Sequence, residues 1–239
     1  MPAPPCASSS ARARERSTGR SLRVAAVTGY LADVSALTRK DLRLELRARD
    51  TLPAMVLFVL ATLVVFHFAL PLGAGDDASF GLLWVAIVFT ALLGLARAWA
   101  GETEAGALDG LVLAPCDRSA IWVAKTLATF AFLGAAELVA LPAFALFFTP
   151  LDGSALAGVL LASIGISVVG SLLSAMAAAT RGREVILPLL LLPLCIPLVV
   201  GGVGAGISPE SGKYLLFLGL YDVLFAILSW AAFEYVVTE

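Results

Sequence analysis

Residues 185–206 read VILPLLLLPLCIPLVVGGVGAG and contain no charged side chain. A stretch of about 20 apolar residues is long enough to cross the hydrocarbon core of a bilayer, which is about 30 Å thick. Backbone groups find no hydrogen-bond partners in lipid, so a segment of this kind crosses the membrane as a helix. The stretch therefore predicts a transmembrane helix and indicates an integral membrane protein.

Five further apolar runs of similar length lie before and after this one. They cover Leu52–Leu72, Phe80–Trp99, Ala120–Phe148, Ala155–Thr180 and Tyr214–Val237. The connections between most of them are short and rich in Gly, Pro and Asp, which end helices. Runs of this length are too long for the strands of a membrane barrel, which have about 10 residues. Residues 51–239 are therefore predicted to form one domain of six transmembrane helices, in an all-α polytopic membrane protein.

The composition excludes several other classes of protein. Of the 239 residues 60% are hydrophobic and only 14% are charged, whereas soluble domains have about 25% charged residues. The formal net charge of -2 gives no basic excess for binding nucleic acid. The three cysteines form no C-x-x-C pair, so neither a disulfide framework nor a thiolate zinc site is expected. We predict no metal site and no catalytic residue.

The segment before the first span divides into two parts. Residues 1–30 are rich in Ala, Arg, Ser and Pro and lack the apolar core of a secretory signal, so they are predicted to be a disordered tail. Residues 31–50 are dense in charge and leucine and run directly into an apolar span. The alternation of Leu42, Leu44 and Leu46 would also suit a short strand. We favour a cytoplasmic interfacial helix that lies under the membrane.

The distribution of Lys and Arg predicts the orientation. Of the 16 Lys and Arg residues, ten precede the first span, three lie around the second connection and two lie in the fourth. The connections on the other side contain only Lys213. Fifteen Lys and Arg residues therefore lie on the side that contains both termini, and one lies on the other side. Because cytoplasmic loops are enriched in Lys and Arg, both termini are predicted to lie in the cytoplasm.

The connection between the second and third spans is long enough to form an element of its own. Residues 101–115 read GETEAGALDGLVLAP, in which apolar residues at i, i+3 and i+4 lie opposite acidic ones. A helix that binds lipid would have Lys or Arg on its polar face. We therefore predict a short amphipathic helix that docks on a protein; the alternative is a connecting turn without function. Its candidate contact residues are Glu102, Glu104, Leu108, Leu111, Val112 and Pro115.

A few polar residues and prolines stand out within the spans. Glu137 and Asp222 are ionisable, and such groups at membrane depth are costly and are candidates for function. The alternative is that each is protonated or hydrogen-bonded to a neighbouring helix. Pro188, Pro193 and Pro197 are predicted to kink the fifth span and free backbone carbonyls.

The acidic pattern E-x-E-x-G-x-L-x-x-L-x-x-x-P at 102–115 resembles the coupling helix of type-2 ABC exporter permeases. The fifth span with its three prolines, REVILPLLLLPLCIP at 183–197, is similar to heme exporter protein B (CcmB) of cytochrome c maturation. The segment LGLYDVLF at 218–225 resembles the same family. This likeness extends from about Leu37 to Glu239.

The resemblance implies a multi-pass permease subunit of the bacterial inner membrane. Its expected partners are an ABC-type ATPase, a second copy of itself and a haem-handling membrane protein of cytochrome c maturation. Haem would be exported or delivered to a periplasmic chaperone, ATP would bind to the partner subunit, and no cofactor is expected on this chain. The chain has no Walker A sequence, in agreement with a separate ATPase. The alternatives are a permease for a drug, lipid or polysaccharide, or a membrane scaffold without transport.

Overall fold

The computed structural model describes residues 29–47, 51–71, 76–98, 117–178 and 183–236, and these ranges contain helices and turns but no strand. Six helices in these ranges are long and apolar enough to cross a membrane. The prediction of an all-α protein with six spans is confirmed. In chain order the helices are α1 (29–47), α2 (Thr51–Ala69), α3 (Asp76–Arg97), α4 (Arg118–Phe147), α5 (Gly153–Ala178), α6 (Arg183–Ile207) and α7 (Ser211–Val236).

Several spans begin earlier than the apolar pattern indicates, because their first turn is polar. α4 begins at Arg118, where Asp117 caps the helix by accepting a hydrogen bond of 3.1 Å from the backbone N–H of Ser119. α5 begins at Gly153, and Asp152 accepts a hydrogen bond of 2.8 Å from the backbone N–H of Ala155. Such caps satisfy N–H groups that have no partner within the helix.

α5 is the central helix of the bundle. Of its most apolar stretch 67% is buried, and it packs against α3, α4, α6 and α7. α2 lies at the edge, with 17% buried, and packs on α3 and α4. The many Gly, Ala and Ser residues of α5 let neighbouring helices approach closely, as is common in membrane bundles.

α3 and α6 meet where Trp84 lies against Gly202. A Cβ atom at Gly202 would overlap the indole ring, and Trp84 is fully buried. α6 continues as one helix through Pro188, Pro193 and Pro197. The kinks expected at these prolines stay a prediction.

α1 packs alongside the first turns of α4. The hydroxyl oxygens of Tyr30 and Ser119 are 3.3 Å apart, and Leu37 packs against the cluster that contains Ile121 and Trp122. Residues 29 and 30, assigned above to the tail, are already helical. The rest of the tail and residues 48–50 lie outside the described residues.

Candidate functional site

The six contact residues predicted for the coupling segment, Glu102, Glu104, Leu108, Leu111, Val112 and Pro115, all lie outside the described residues. The structure does describe the two points between which this segment runs. Ala98, in the turn after α3, precedes it, and Asp117, which caps α4, follows it. The contacts around Ala98 and Asp117 therefore show how the two ends of the segment are attached to the bundle.

Lys125, in the second turn of α4, joins three helices at this end of the bundle. Its Nζ atom donates a hydrogen bond of 3.0 Å to the carbonyl of Ala98 and lies 3.3 Å from a carboxylate oxygen of Asp41 in α1. The other oxygen of Asp41 lies 3.3 Å from Nζ of Lys40. The side chains of Lys125 and Asp41 are 7% and 10% exposed. The end of α3, the start of α4 and α1 are thus tied together through one ammonium group.

Breaking a buried ion pair by removing one partner is strongly destabilising, because the other charge is left unpaired. A cavity of about 40 Å³ beside this pair, lined by Glu45 and Thr51 among others, has room for water. In the sequence, Lys125 is one of the three basic residues around the second connection. The signal that points to its role is Asp41, an acidic residue between Lys40 and Arg43.

Glu137 lies two thirds of the way along α4 and is buried, with 8% of its surface exposed. Its Oε1 atom is 2.5 Å from the hydroxyl oxygen of Ser163 in α5. This contact agrees with the alternative given above, a hydrogen bond to a neighbouring helix, and a functional role for Glu137 stays a prediction. The pair links α4 to the central helix.

The hydroxyl of Ser163 has a second neighbour, the carbonyl oxygen of Val159, at 2.8 Å. A hydroxyl has one hydrogen to donate. Both contacts are satisfied if the one hydroxyl hydrogen is shared between the two acceptor oxygens, or if Ser163 donates to Val159 while a protonated Glu137 donates to Ser163. The second arrangement leaves no charge on the buried carboxyl.

Asp222, in α7, is as buried as Glu137 but has different surroundings. Its exposed fraction is 8%, and neither carboxyl oxygen has a hydrogen-bond partner among the described residues. It lies against Gly165 of α5, where an added Cβ atom would be 2.5 Å from Oδ1 and 2.8 Å from Leu198 Cδ2. Only a residue without a side chain leaves space for this carboxyl.

Tyr221, next to Asp222, contacts the proline-rich helix α6. Its hydroxyl donates a hydrogen bond of 2.8 Å to the carbonyl of Leu194, and its ring stacks on Phe225 with 4.2 Å between centroids. Pro197 has no N–H, so the carbonyl of Pro193 loses its helical partner, and Leu194 is the adjacent residue. Tyr221 therefore donates to the carbonyl next to the one that Pro197 leaves without a helical partner.

His67 lies near the end of α2 among aromatic rings. Its ring centroid is 5.4 Å from those of Phe68 and Phe147 and 5.7 Å from that of Phe148. The imidazole is therefore packed among aromatic side chains. Within the described ranges no three His, Cys, Asp or Glu side chains come together as a metal site would require.

A family model and several known proteins that match this chain all belong to one family. A family model described as "CcmB protein" matches residues 32–234, which include nearly all of the six spans. A protein of Paracoccus denitrificans named "Heme exporter protein B" is 31% identical over 212 residues, covering 84% of this chain and 95% of that protein. Proteins with the same name from Rhodobacter capsulatus and Pseudomonas aeruginosa are 30% and 29% identical, covering 70% and 82% of this chain and 79% and 93% of their own lengths.

Proposed function

Since this chain belongs to the CcmB protein family, we propose that it is the membrane permease subunit of an ABC transporter complex for cytochrome c biogenesis. In this proposal a separate partner ATPase hydrolyses ATP, and the complex exports haem or delivers it to a periplasmic chaperone. Haem is the transported ligand and is not a resident cofactor of this chain. The observation that carries the proposal is the family match, which extends through α2–α6 and most of α7.

The proposed complex contains a second copy of this chain, the ATPase and a haem-handling membrane protein, in the bacterial inner membrane. The six apolar helices support a multi-pass location. Relatives named "Heme exporter protein B" support haem as the ligand. The distribution of Lys and Arg supports cytoplasmic termini.

ATP-driven movement of the partner must reach the spans through a rigid contact, and we propose that residues 102–113 provide it. The apolar residues of this segment would fill a groove on the ATPase, with Glu102 and Glu104 at its rim. The segment leaves α3 at Ala98, whose carbonyl is held by Lys125. A push on the segment would therefore act on α3, on α4 and, through Asp41, on α1.

Substitution of Leu111 tests this proposal, because a buried anchor at an interface typically contributes about 2 kcal/mol or more, roughly a thirtyfold change in affinity. Leu111→Asp should abolish co-purification of the ATPase and cytochrome c assembly while the protein still inserts into the membrane. Leu216→Ala is the control, since Leu216 lies on α7 with 65% of its surface exposed. Full ATPase binding by Leu111→Asp would show that the segment is not the coupling element.

The orientation has an independent test with single introduced cysteines. A cysteine at Gly75 or Ser211 should react with an impermeant thiol reagent added outside the cell, and a cysteine at Gly182 should not. Labelling at Gly182 in intact cells would reverse the proposed orientation.

A further inference from the structure

From Arg39 onward, the charged residues of α1 are divided between two faces of the helix. Asp41 and Glu45 face the bundle, where they line the cavity beside Lys125. Arg39, Arg43 and Arg47 follow one another at intervals of four residues, so they share the opposite face, and all three are exposed. In the part of the chain that the structure describes, none of these arginines forms an ion pair. Solvation alone would not require this division of charge.

Exposed leucines border the arginines on both sides. Leu44 lies on one flank, and Leu31 and Leu46 lie on the other, with exposed fractions of 55%, 60% and 57%. A helix whose outer face meets only water gains nothing by exposing leucines. Arginines next to apolar side chains are typical of helices that lie at the surface of a membrane.

The position of α1 puts this face near a lipid surface. Its described residues end at 47, and α2, a candidate span, begins at Thr51. From Tyr30 to Asp41 its contacts follow the first turns of α4 from Ser119 to Lys125. The outer face therefore points away from the bundle at the level where lipid headgroups surround it.

We propose that the outer face of α1, formed by Arg39, Arg43 and Arg47, binds the phosphate groups of anionic phospholipids in the adjoining leaflet. A guanidinium group matches phosphate with two parallel hydrogen bonds, and the neighbouring leucines reach the start of the acyl chains. An acidic protein surface would satisfy the arginines but not these leucines. The inference goes beyond the proposed function and does not depend on the partner ATPase.

The test uses the purified full-length chain in detergent, titrated with phosphatidylglycerol or phosphatidylcholine and observed by native mass spectrometry. Each basic residue near an anionic surface contributes about fivefold in affinity. The double variant Arg39→Gln/Arg43→Gln should therefore bind phosphatidylglycerol at least about tenfold more weakly and phosphatidylcholine unchanged. Added salt should reduce the wild-type preference for the anionic lipid.

A matched control removes two charges at the same end of the bundle but outside α1. Arg97→Gln/Arg118→Gln should retain the preference for phosphatidylglycerol. An equal loss in both double variants would overturn the proposal, because the effect would then be one of total charge. Unchanged lipid binding by the α1 variant together with loss of a co-purifying protein would also overturn it, in favour of a protein-docking face.

Folding of the variants is checked by size-exclusion chromatography and circular dichroism. If the double variant does not fold, Arg43→Gln alone should still weaken phosphatidylglycerol binding by about fivefold. Arg43→Lys, which keeps the charge, should lose less. No change in the Arg43→Gln variant would refute the proposal.

Discussion

Glu137 and Asp222 are both 8% exposed, and both lie against the central helix α5. The carboxyl of Glu137 meets the hydroxyl of Ser163, which can share a hydrogen with it. The carboxyl of Asp222 lies beside Gly165, where a Cβ atom would be 2.5 Å from Oδ1, and it has no hydrogen-bond partner among the described residues. The same chemical group is therefore satisfied at one site and unsatisfied at the other.

The difference shows that burial does not by itself assign a role to an intramembrane carboxyl. A buried polar group that is hydrogen-bonded contributes to packing, whereas one without a partner lowers stability and needs another explanation. Glu137 thus has a structural explanation, the link between α4 and α5. Asp222 is the better candidate for a part in function.

The largest effect is expected for Gly165→Leu, which tests whether Asp222 needs the space at this glycine. The new side chain would collide with Asp222 and Leu198, and such overpacking costs about 3 kcal/mol. We expect loss of the folded protein in thermal unfolding measured in detergent. Gly134→Leu in α4 is the control, because a Cβ atom there meets nothing within 4 Å. Equal stability of the two variants would contradict the close approach of α7 to α5.

A smaller loss is expected for Glu137→Leu. Removing the hydrogen bond to Ser163 should lower the free energy of unfolding by about 1.5 kcal/mol. Glu137→Gln should leave it nearly unchanged, because an amide N–H can donate to Ser163 as a carboxylic acid does. If the glutamine variant were as unstable as the leucine variant, the hydrogen bond to Ser163 would not explain the role of Glu137, and the comparison with Asp222 would need another basis.

Asp152 offers a third carboxyl for comparison, outside the spans. Hydrogen bonds from the backbone N–H of Ala155 and the hydroxyl of Ser154 hold the pKa of Asp152 below its ordinary value. Its stabilising effect is therefore present above that ordinary value and is lost as the pH falls through the lower pKa of the folded state. Asp152→Ala removes the helix cap and should cost about 1 kcal/mol at neutral pH. The difference from wild type should shrink under acid, and a constant difference would mean that the charge has no part in the cap.

The smallest effect on stability is expected for Asp222→Asn. With no hydrogen bond to lose, the free energy of unfolding should change by less than about 0.5 kcal/mol. Because the unpartnered carboxyl is a candidate for function, we expect cytochrome c assembly to fall by at least about tenfold. Normal cytochrome c assembly in cells that express this variant at wild-type level would mean that Asp222 has only a packing role.

The six spans and their order could be predicted from sequence because each is a continuous apolar run. Their packing could not, since α2 and α7 show no amphipathic stripe. Lipid and the interior of the bundle are equally apolar, so a membrane helix needs no polar face where it meets lipid. The small residues of α5 are visible in the sequence and favour close helix contact, whereas nothing in the apolar runs shows that α2 lies at the edge.

The candidate site could be predicted only in part, because the sequence shows the ionisable residues but not their partners. Glu137 and Asp222 are visible as ionisable residues in apolar surroundings. Their different partners are not visible, because Ser163 and Gly165 are both ordinary small residues of a membrane helix. The ion pair of Lys125 could not be predicted from the sequence, since its partner Asp41 lies far away along the chain.

The ion pair of Lys125 also bears on the order in which parts of the chain fold during synthesis. Asp41, Ala98 and Lys125 have all been synthesised before α5, which begins at Gly153. Since chains fold from the N-terminus during synthesis, the lysine can find its partners while the second half is still on the ribosome. Asp222 belongs to the last helix, so its carboxyl enters the bilayer only when α5 is already there to cover it.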